Sequence, residues 1–134
     1  MVCIHCGGKT KVVNSRRQSR SNQVWRRRQC LACSAVFTTA EMPRYGAAWA
    51  VRGKTGRLQP FSRDKLFLSL YEACRHRPTA LEDAGALTDT VIKNLSGQLA
   101  DGVSDSQVIE QIAHVALNRF DKVASVHYQA FHKL

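Results

Sequence analysis

The chain has 134 residues, of which 44% are hydrophobic, and it carries 20 Lys or Arg against 10 Asp or Glu, for a formal net charge of +10. This length fits one domain or two small ones, and no apolar run approaches the length needed to cross a membrane. The start at Met1, Val2, Cys3 leaves no room for a signal peptide, which favours a reducing, cytoplasmic location over a secreted one.

The positive charge is concentrated in the first third of the chain. Residues 1–45 contain nine Lys or Arg and one acidic residue, a net charge of +8, whereas residues 46–134 contain eleven against nine, a net charge of +2. The contrast predicts two domains with different partners, residues 1–45 and residues 46–134. We interpret Met42 to Gly46 as the connector between them.

Two Cys-x-x-Cys pairs, Cys3 with Cys6 and Cys30 with Cys33, lie 23 residues apart. Each pair offers two thiolates to a tetrahedral zinc ion, and the doubled spacing is far more specific than either half alone. A segment of about 45 residues also buries too little core to fold without such a staple. We therefore predict structural Zn²⁺ on all four cysteines, with two disulfides or a redox-active pair as the alternatives.

The segment between the two pairs is typical of a zinc ribbon. Lys11 to Asn14 and Val24 to Gln29 predict two paired strands, joined by a polar loop from Ser15 to Gln23. A third strand is predicted at Ala35 to Thr39.

A ribbon this small cannot bury its cationic side chains, so they must face solvent or a polyanion. Strand alternation places Arg26 and Arg28 on one face, and Trp25 with Arg27 on the other. Trp25 either stacks on a nucleic acid or covers the small core of the ribbon. The charge density favours phosphate contacts, and the predicted DNA-binding residues are Lys11, Arg16, Arg17, Arg26, Arg27 and Arg28.

The second segment begins with a predicted hairpin, Ala48 to Arg52 and Arg57 to Gln59, and continues with four helices. Ser62 is the expected N-cap of the first helix, which Pro78 ends. The other helices are predicted from about Ala80 to Asp101, after a capping box at Ser104 and Gln107, and after an N-cap at Asp121. The expected fold is therefore α+β, a small β zinc ribbon followed by a mainly helical domain with an N-terminal β-hairpin.

Apolar spacing also predicts which side of the last two helices faces the core. The expected core residues are Val108, Ile112, Val115 and Ala116, followed by Val123, Val126, Ala130 and Phe131. No set of side chains in the sequence suggests nucleophilic or acid-base catalysis, so we do not expect an enzyme.

Several collinear segments resemble a known family. They are the opening Cys3 to Cys6, KVVNSR at 11–16, RRRQCLAC at 26–33, FTTAE at 37–41, PFSRDKL at 60–66, ACRHRP at 73–78 and FDKVA at 120–124. In these segments the chain is similar to the NrdR transcriptional repressors, bacterial regulators of ribonucleotide reductase genes that join a zinc ribbon to an ATP-cone domain. The resemblance implies that the ribbon binds double-stranded operator boxes, and that ATP or dATP on the cone sets the state of a homo-oligomer.

The resemblance also implies a nucleotide-contact stretch. The family pattern V-x-K-R-D-G-x-x-E-P-F-D-x-x-K aligns without gaps to residues 51–65, and the implied nucleotide-binding residues are Val51, Arg52, Lys54, Arg57, Ser62 and Lys65. Gly53, Gln59 and Ser62 depart from the pattern, which has lysine, glutamate and aspartate there. Ser125 and His132 stand where the family usually has tyrosine.

These departures define the alternative hypothesis, a protein of a different class. In it, the zinc ribbon is a nucleic-acid-binding or interaction module, and the degenerate cone binds no nucleotide and serves as an oligomerisation scaffold.

Overall fold

The computed structural model describes residues 1–132, which form two compact units, Met1–Pro43 and a second that begins at Arg44. The mixed α+β fold, with a strand-only first unit and a mainly helical second unit, is confirmed. The domain limits of 1–45 and 46–134 stay a prediction about which parts fold independently. No helix in the described part of the chain is long and apolar enough to cross a membrane.

The first unit is a three-stranded antiparallel sheet in the order β1 (Thr10–Gln18), β2 (Gln23–Cys30), β3 (Val36–Glu41). The three predicted strands are confirmed, but the predicted loop is too long, because residues 15–18 continue β1 and pair with β2. The connecting turn is therefore only residues 19–22, with Asn22 at a φ of 48°.

This sheet has almost no hydrophobic core. Cys3 and Cys30, at 3% and 2% exposure, are the only buried hydrophobic residues described in the first unit. The free energy gained from burying so little apolar surface does not offset the conformational entropy lost on folding. The first unit therefore requires another source of stability.

The second unit combines a small sheet with helices. Its elements are α1 (Tyr45–Ala48), β4 (Ala50–Arg52), β5 (Leu58–Pro60), α2 (Arg63–Cys74), α3 (Ala80–Ser96), β6 (Val103–Asp105), α4 (Ser106–Phe120) and α5 (Lys122–Phe131). β4 pairs antiparallel with β5, as the predicted hairpin requires, and parallel with β6. The connector prediction is wrong at its end, because Tyr45 and Gly46 already belong to α1.

Two of the three predicted helix starts have the expected cap. The Ser62 hydroxyl accepts a hydrogen bond from the Lys65 amide at 3.3 Å, and the Asp121 carboxylate accepts from the amides of the next helix. The capping box is wrong, because Ser104 belongs to β6 and its hydroxyl donates to the Asp105 carbonyl at 3.2 Å. α4 begins at residue 106 instead.

The core of the second unit lies between the four long helices. Its fully buried large side chains are Leu70, Cys74, Thr88, Val91, Leu95 and Leu117. The buried residues include Leu66, Leu70 and Cys74 on α2, and Ala84, Leu87, Val91 and Leu95 on α3. The predicted inward side of α4 is confirmed only in part, and that of α5 is wrong. α4 buries Ala113 and Leu117, with Ile112 and Ala116 only half-buried and Val115 exposed.

The side of α5 that faces the core is not the side that the apolar pattern predicts. It buries Ala124, Ser125 and Tyr128, while Val123, Val126 and Phe131 are 51%, 64% and 81% exposed and Ala130 is also exposed. The buried hydroxyl of Ser125 is satisfied by the ring of His114 at 3.1 Å, which allows a polar residue on the inward side.

Candidate metal centre and ligand cavity

The four cysteines meet at one end of the first sheet. Their sulfur atoms all lie within 4.8 Å of one another, with Cys3 Sγ 3.7 Å from Cys33 Sγ and Cys6 Sγ 3.5 Å from Cys30 Sγ. All four are free thiols, which excludes the disulfide alternative for this structure. Four sulfurs about 2.3 Å from a central zinc ion lie about 3.8 Å apart, so the observed spacing fits a tetrahedral zinc site.

Backbone amides point at these sulfurs. Cys3 Sγ accepts from the His5 amide at 3.3 Å and Cys6 Sγ from the Gly8 amide at 3.4 Å. Cys30 Sγ accepts from the amides of Ala32 and Cys33 at 3.3 and 3.4 Å. Such contacts stabilise thiolates rather than thiols, as a metal site needs.

Two of the clustered thiols, Cys30 and Cys33, have pKa values shifted in opposite directions. The amides of Cys33 and Ala32 lower the pKa of Cys30 to about 6. For Cys33, the Ala35 amide lowers the pKa, but the neighbouring Cys6 sulfur and burial outweigh it and raise the pKa to about 11. Four thiolates at this spacing repel one another, so a bound dication is what holds all four together.

Gly8 lies directly against the sulfurs. A Cβ atom there would sit 3.1 Å from Ala32 Cβ and 3.3 Å from Cys6 Sγ, closer than ordinary van der Waals contact. The two cysteine-bearing turns therefore approach each other across a residue without a side chain. His5 makes its contact through its backbone amide, and the described four-ligand cluster contains only cysteines.

The six predicted DNA-binding residues divide between the two faces of the sheet. The register pairs Lys11 with Gln29, Asn14 with Arg27 and Arg16 with Trp25, so Lys11, Arg16 and Arg27 share one face with Trp25. We call this set, Lys11, Arg16, Trp25 and Arg27, the Arg27 face. All four residues are exposed, and no ion pair to any of them occurs among residues 1–132.

The opposite face carries Arg17, Arg26 and Arg28, and the predicted alternation along β2 is confirmed. Arg26 pairs with Glu41 at 2.6 Å, and Arg28 donates to Thr39 and Thr10 at 3.4 and 3.3 Å. These two guanidinium groups are half-buried and already have partners within the sheet, whereas the Arg27 face is free to meet a ligand.

Trp25 does not cover a core. Its side chain is exposed, at 45%, and its indole N–H donates to Gln23 at 3.0 Å. Trp25 is therefore part of the exposed surface of the sheet, opposite Arg16 and two residues from Arg27, and its stacking on a nucleic acid stays a prediction.

The second unit contains a cavity of about 520 Å³, which is within the usual size range of small-molecule sites. The β4–β5 turn, the first two turns of α2, the start of α4 and the end of α5 surround it. Its described lining comprises Val51, Gly53, Thr55, Arg57, Gln59, Pro60, Phe61, Ser62, Lys65, Leu66, Ser69, Ser106, Ile109, Glu110, Tyr128 and His132.

Four of the six predicted nucleotide-binding residues line this cavity, namely Val51, Arg57, Ser62 and Lys65. Arg52 and Lys54 do not. They border a smaller recess beside α4, where Arg52 pairs with Asp105 at 3.2 Å. The cavity's cationic side chains are thus Arg57 and Lys65, next to the N-terminus of α2, where amide groups also favour anions.

The polar residues of the cavity that were not predicted from the sequence include Ser69, Glu110 and Tyr128. Glu110 and Tyr128 are polar residues on two different helices, α4 and α5, so the apolar pattern carried no signal that they line the same cavity. Burial, followed by the negative charge of Glu110, raises the pKa of Tyr128 well above its usual range.

Comparison with known proteins matches both units. Residues 1–41 match the family model described as "Transcriptional repressor NrdR-like, N-terminal domain", and residues 50–134 match the ATP cone domain. The chain belongs to the NrdR family. The zinc-ribbon and ATP-cone assignments, with the four clustered cysteines, indicate Zn²⁺ as the resident metal and an adenine nucleotide as the regulatory ligand.

Curated NrdR relatives match over almost the whole chain. Three of them, all named "Transcriptional repressor NrdR", come from Symbiobacterium thermophilum, Heliobacterium modesticaldum and Syntrophus aciditrophicus. They are 38%, 34% and 33% identical over 99% of this chain, covering 87%, 87% and 83% of the relatives. The NrdR family is thus one of transcriptional regulators and not of enzymes, as expected.

Proposed function

We propose that this protein is a zinc-dependent, DNA-binding repressor of ribonucleotide reductase genes, regulated by ATP or dATP and by oligomerisation. The observation that carries the proposal is the cluster of four cysteine sulfurs at the end of a sheet that presents the Arg27 face. Zinc supplies structural cross-linking of the two cysteine turns, and the chain supplies the cationic surface.

The Arg27 face suits a duplex. The side chains of directly opposed strand residues lie about 5 Å apart, so Arg16, Trp25 and Arg27 form one continuous surface. Phosphates bind Arg16 and Arg27 through charge-assisted hydrogen bonds, and the exposed indole packs on sugar or base. The guanidinium groups of Arg26 and Arg28 support the sheet instead, because each has a partner within it.

Regulation by nucleotide is supported by the cavity. Arg57, Lys65 and the N-terminus of α2 offer positive charge to a polyphosphate, and the buried ring of Phe61 with Leu66 offers an apolar wall. The family pattern has a lysine at the position of Gly53, which lines the same cavity and has no side chain. Arg57, also in the lining, supplies positive charge in place of that lysine.

The double variant Arg16→Ala/Arg27→Ala tests the DNA-binding surface, with a promoter fragment of ribonucleotide reductase genes from the same genome as the probe. We expect at least roughly tenfold weaker binding, because two charge-assisted contacts are lost. The slope of log affinity against log salt should fall by about two units, one per phosphate contact. Binding measured by fluorescence anisotropy at several salt concentrations gives both numbers.

The matched control is Arg75→Ala/Lys93→Ala, which removes two exposed positive charges of the second unit, one at the C-cap of α2 and one within α3. We expect it to leave the salt slope unchanged. An equal loss of affinity in both double variants would contradict the assigned surface, since binding would then follow net charge alone. A larger effect of Arg26→Ala/Arg28→Ala would assign the duplex to the opposite face.

A further inference from the structure

Trp25 is an exposed aromatic side chain without an aromatic partner. The chain's other tryptophan, Trp49, packs against Tyr45 and Phe61, with its ring centroid 4.6 and 5.5 Å from theirs. Trp25 is 45% exposed, and within residues 1–132 it forms no aromatic pair and no cation–π contact. A single exposed apolar residue needs no explanation by itself, so the surroundings of the ring decide what it can bind.

The strand register surrounds the Trp25 ring with positive charge and small side chains. Ala40 of β3 lies directly opposite Trp25 on one side, and Arg16 of β1 lies opposite it on the other. Such opposed residues lie about 5 Å apart, and Arg27, the next residue of β2 on the same face, lies about 7 Å along the strand. Because Ala40 is small, β3 has no large side chain at the position opposite the indole.

The indole is also oriented before a ligand binds. Its N–H donates a hydrogen bond to the Gln23 side-chain oxygen at 3.0 Å, two residues earlier in β2. This bond restricts rotation of the side chain, and a ring that is already oriented loses less conformational entropy on binding. Trp25 is therefore a preorganised flat platform beside the guanidinium groups of Arg16 and Arg27.

A platform of this kind distinguishes single strands from duplexes. In a duplex, neighbouring base pairs cover both faces of each base, so a protein contacts base edges, sugars and phosphates. An unpaired base exposes its face and can stack on an aromatic side chain. Proteins that bind single strands combine such rings with a positively charged surface that follows the phosphates, and the Arg27 face has both features.

We propose that the Arg27 face is also a binding site for single-stranded DNA, in which an unpaired base stacks on Trp25 while Arg16 and Arg27 bind the flanking phosphates. The inference rests on the surface proposed for duplex binding and adds a second ligand to it. Both ligands need the same two arginines, so they exclude each other on one ribbon. Single-stranded DNA therefore competes with the promoter fragment.

Fluorescence anisotropy of the zinc-loaded full chain tests this with two labelled strands, oligo(dT) and an abasic strand, each about 12 nucleotides long. The two probes carry the same number of phosphates, so the difference in their affinities reports the bases alone. We expect wild-type protein to bind oligo(dT) at least about fivefold more tightly than the abasic strand, as expected for one stacked base. In Trp25→Leu, which keeps an apolar side chain without a ring, this preference should shrink to less than about twofold.

Phe120→Leu is the matched control, because Phe120 lies in the second unit and its exposed fraction, 41%, is close to that of Trp25. It should keep the wild-type preference. Zinc content and thermal unfolding of each variant show whether the ribbon is intact. A purely structural role of Trp25 would weaken the binding of both strands equally in Trp25→Leu and would contradict stacking.

A second measurement leaves Trp25 in place. In Trp49→Phe, Trp25 is the only tryptophan of the chain, so the emission at tryptophan wavelengths comes from this residue. Oligo(dT) should quench it through base stacking, and the abasic strand should not. Unchanged emission with oligo(dT) bound would overturn the proposal even if Trp25→Leu does not fold.

The remaining outcomes separate this site from the proposed duplex binding. Equal affinities of wild-type protein for the two strands, or an undiminished preference in Trp25→Leu, would overturn the single-strand site and leave duplex binding intact. Binding of oligo(dT) with the expected preference, but not of the promoter fragment, would support the site and contradict the proposed operator binding. Failure of excess oligo(dT) to displace the promoter fragment would overturn the shared surface, and tighter binding of oligo(U) than of oligo(dT) would overturn the assignment to DNA.

Discussion

Single residues decide whether the close approaches in this fold can form. Gly102, before β6, has a φ of 76°, and a Cβ atom there would lie 2.9 Å from the Ala48 carbonyl oxygen. The carbonyl of Gly102 in turn accepts from the Ala50 amide at 2.9 Å, which starts the parallel pairing of β4 with β6. Only glycine meets both the dihedral and the space requirement.

Gly102→Ala should therefore destabilise the second unit by about 1–3 kcal/mol, through a strained left-handed alanine and displacement of α1. Gly85→Ala is the matched control, because Gly85 lies within α3 and a Cβ atom there has no neighbour within 4 Å. That change should stabilise by about 0.5–1 kcal/mol. Urea unfolding of both variants gives the comparison, and equal effects of the same sign would contradict the role of Gly102.

The cysteine residues could be predicted as a site because their spacing alone encodes the geometry. The arginines of the two faces of β2 could also be separated, since alternation along the strand needs only the strand assignment. The partner of each arginine could not be predicted, because Glu41 and Thr39 lie on β3 and Thr10 lies on β1, and the pairing of these strands with β2 is a tertiary feature. The register of β1 with β2 also shifts at the bulge between Val12 and Asn14.

At the level of elements, α2 and α3 were predictable, the inward side of α4 was predictable in part, and that of α5 was not. α3 buries most of its large apolar side chains, whereas α5 leaves Val123, Val126 and Phe131 exposed. In α5 the small Ala124 and Ser125 face the core, and the larger Val126 and Phe131 face outward. The hydrogen bond between Ser125 and His114 favours this orientation of α5. A hydrogen bond between two helices cannot be predicted from the spacing of apolar residues. β6, with three residues, was too short for alternation to show.

Val126 and Phe131 of α5 are 64% and 81% exposed, and we propose that they contribute to the subunit contact of the predicted homo-oligomer. We expect Val126→Glu/Phe131→Glu to lower the mass of the assembly in light scattering, because two charges cannot be buried in an apolar contact. Leu81→Glu, on the exposed side of α3, is the control and should leave the mass unchanged. An unchanged assembly in the double variant would exclude this side of α5 as a subunit contact.

For the molecule as a whole, the two units depend on different sources of stability. The second has a core of buried leucine, valine and alanine side chains between four helices. The first buries only two cysteines, so zinc binding, worth on the order of 10–16 kcal/mol in finger-like peptides, supplies its folding free energy. Removing zinc should therefore unfold the Arg27 face and leave the helical unit folded.

DNA affinity before and after zinc removal tests the central claim directly. The reduced, purified protein should contain one zinc ion per chain and bind the promoter fragment. Chelation should abolish binding while the helical circular dichroism signal persists, and stoichiometric zinc should restore the affinity. Full DNA affinity in metal-free protein would contradict the claim that four cysteines and one zinc ion build the DNA-binding surface.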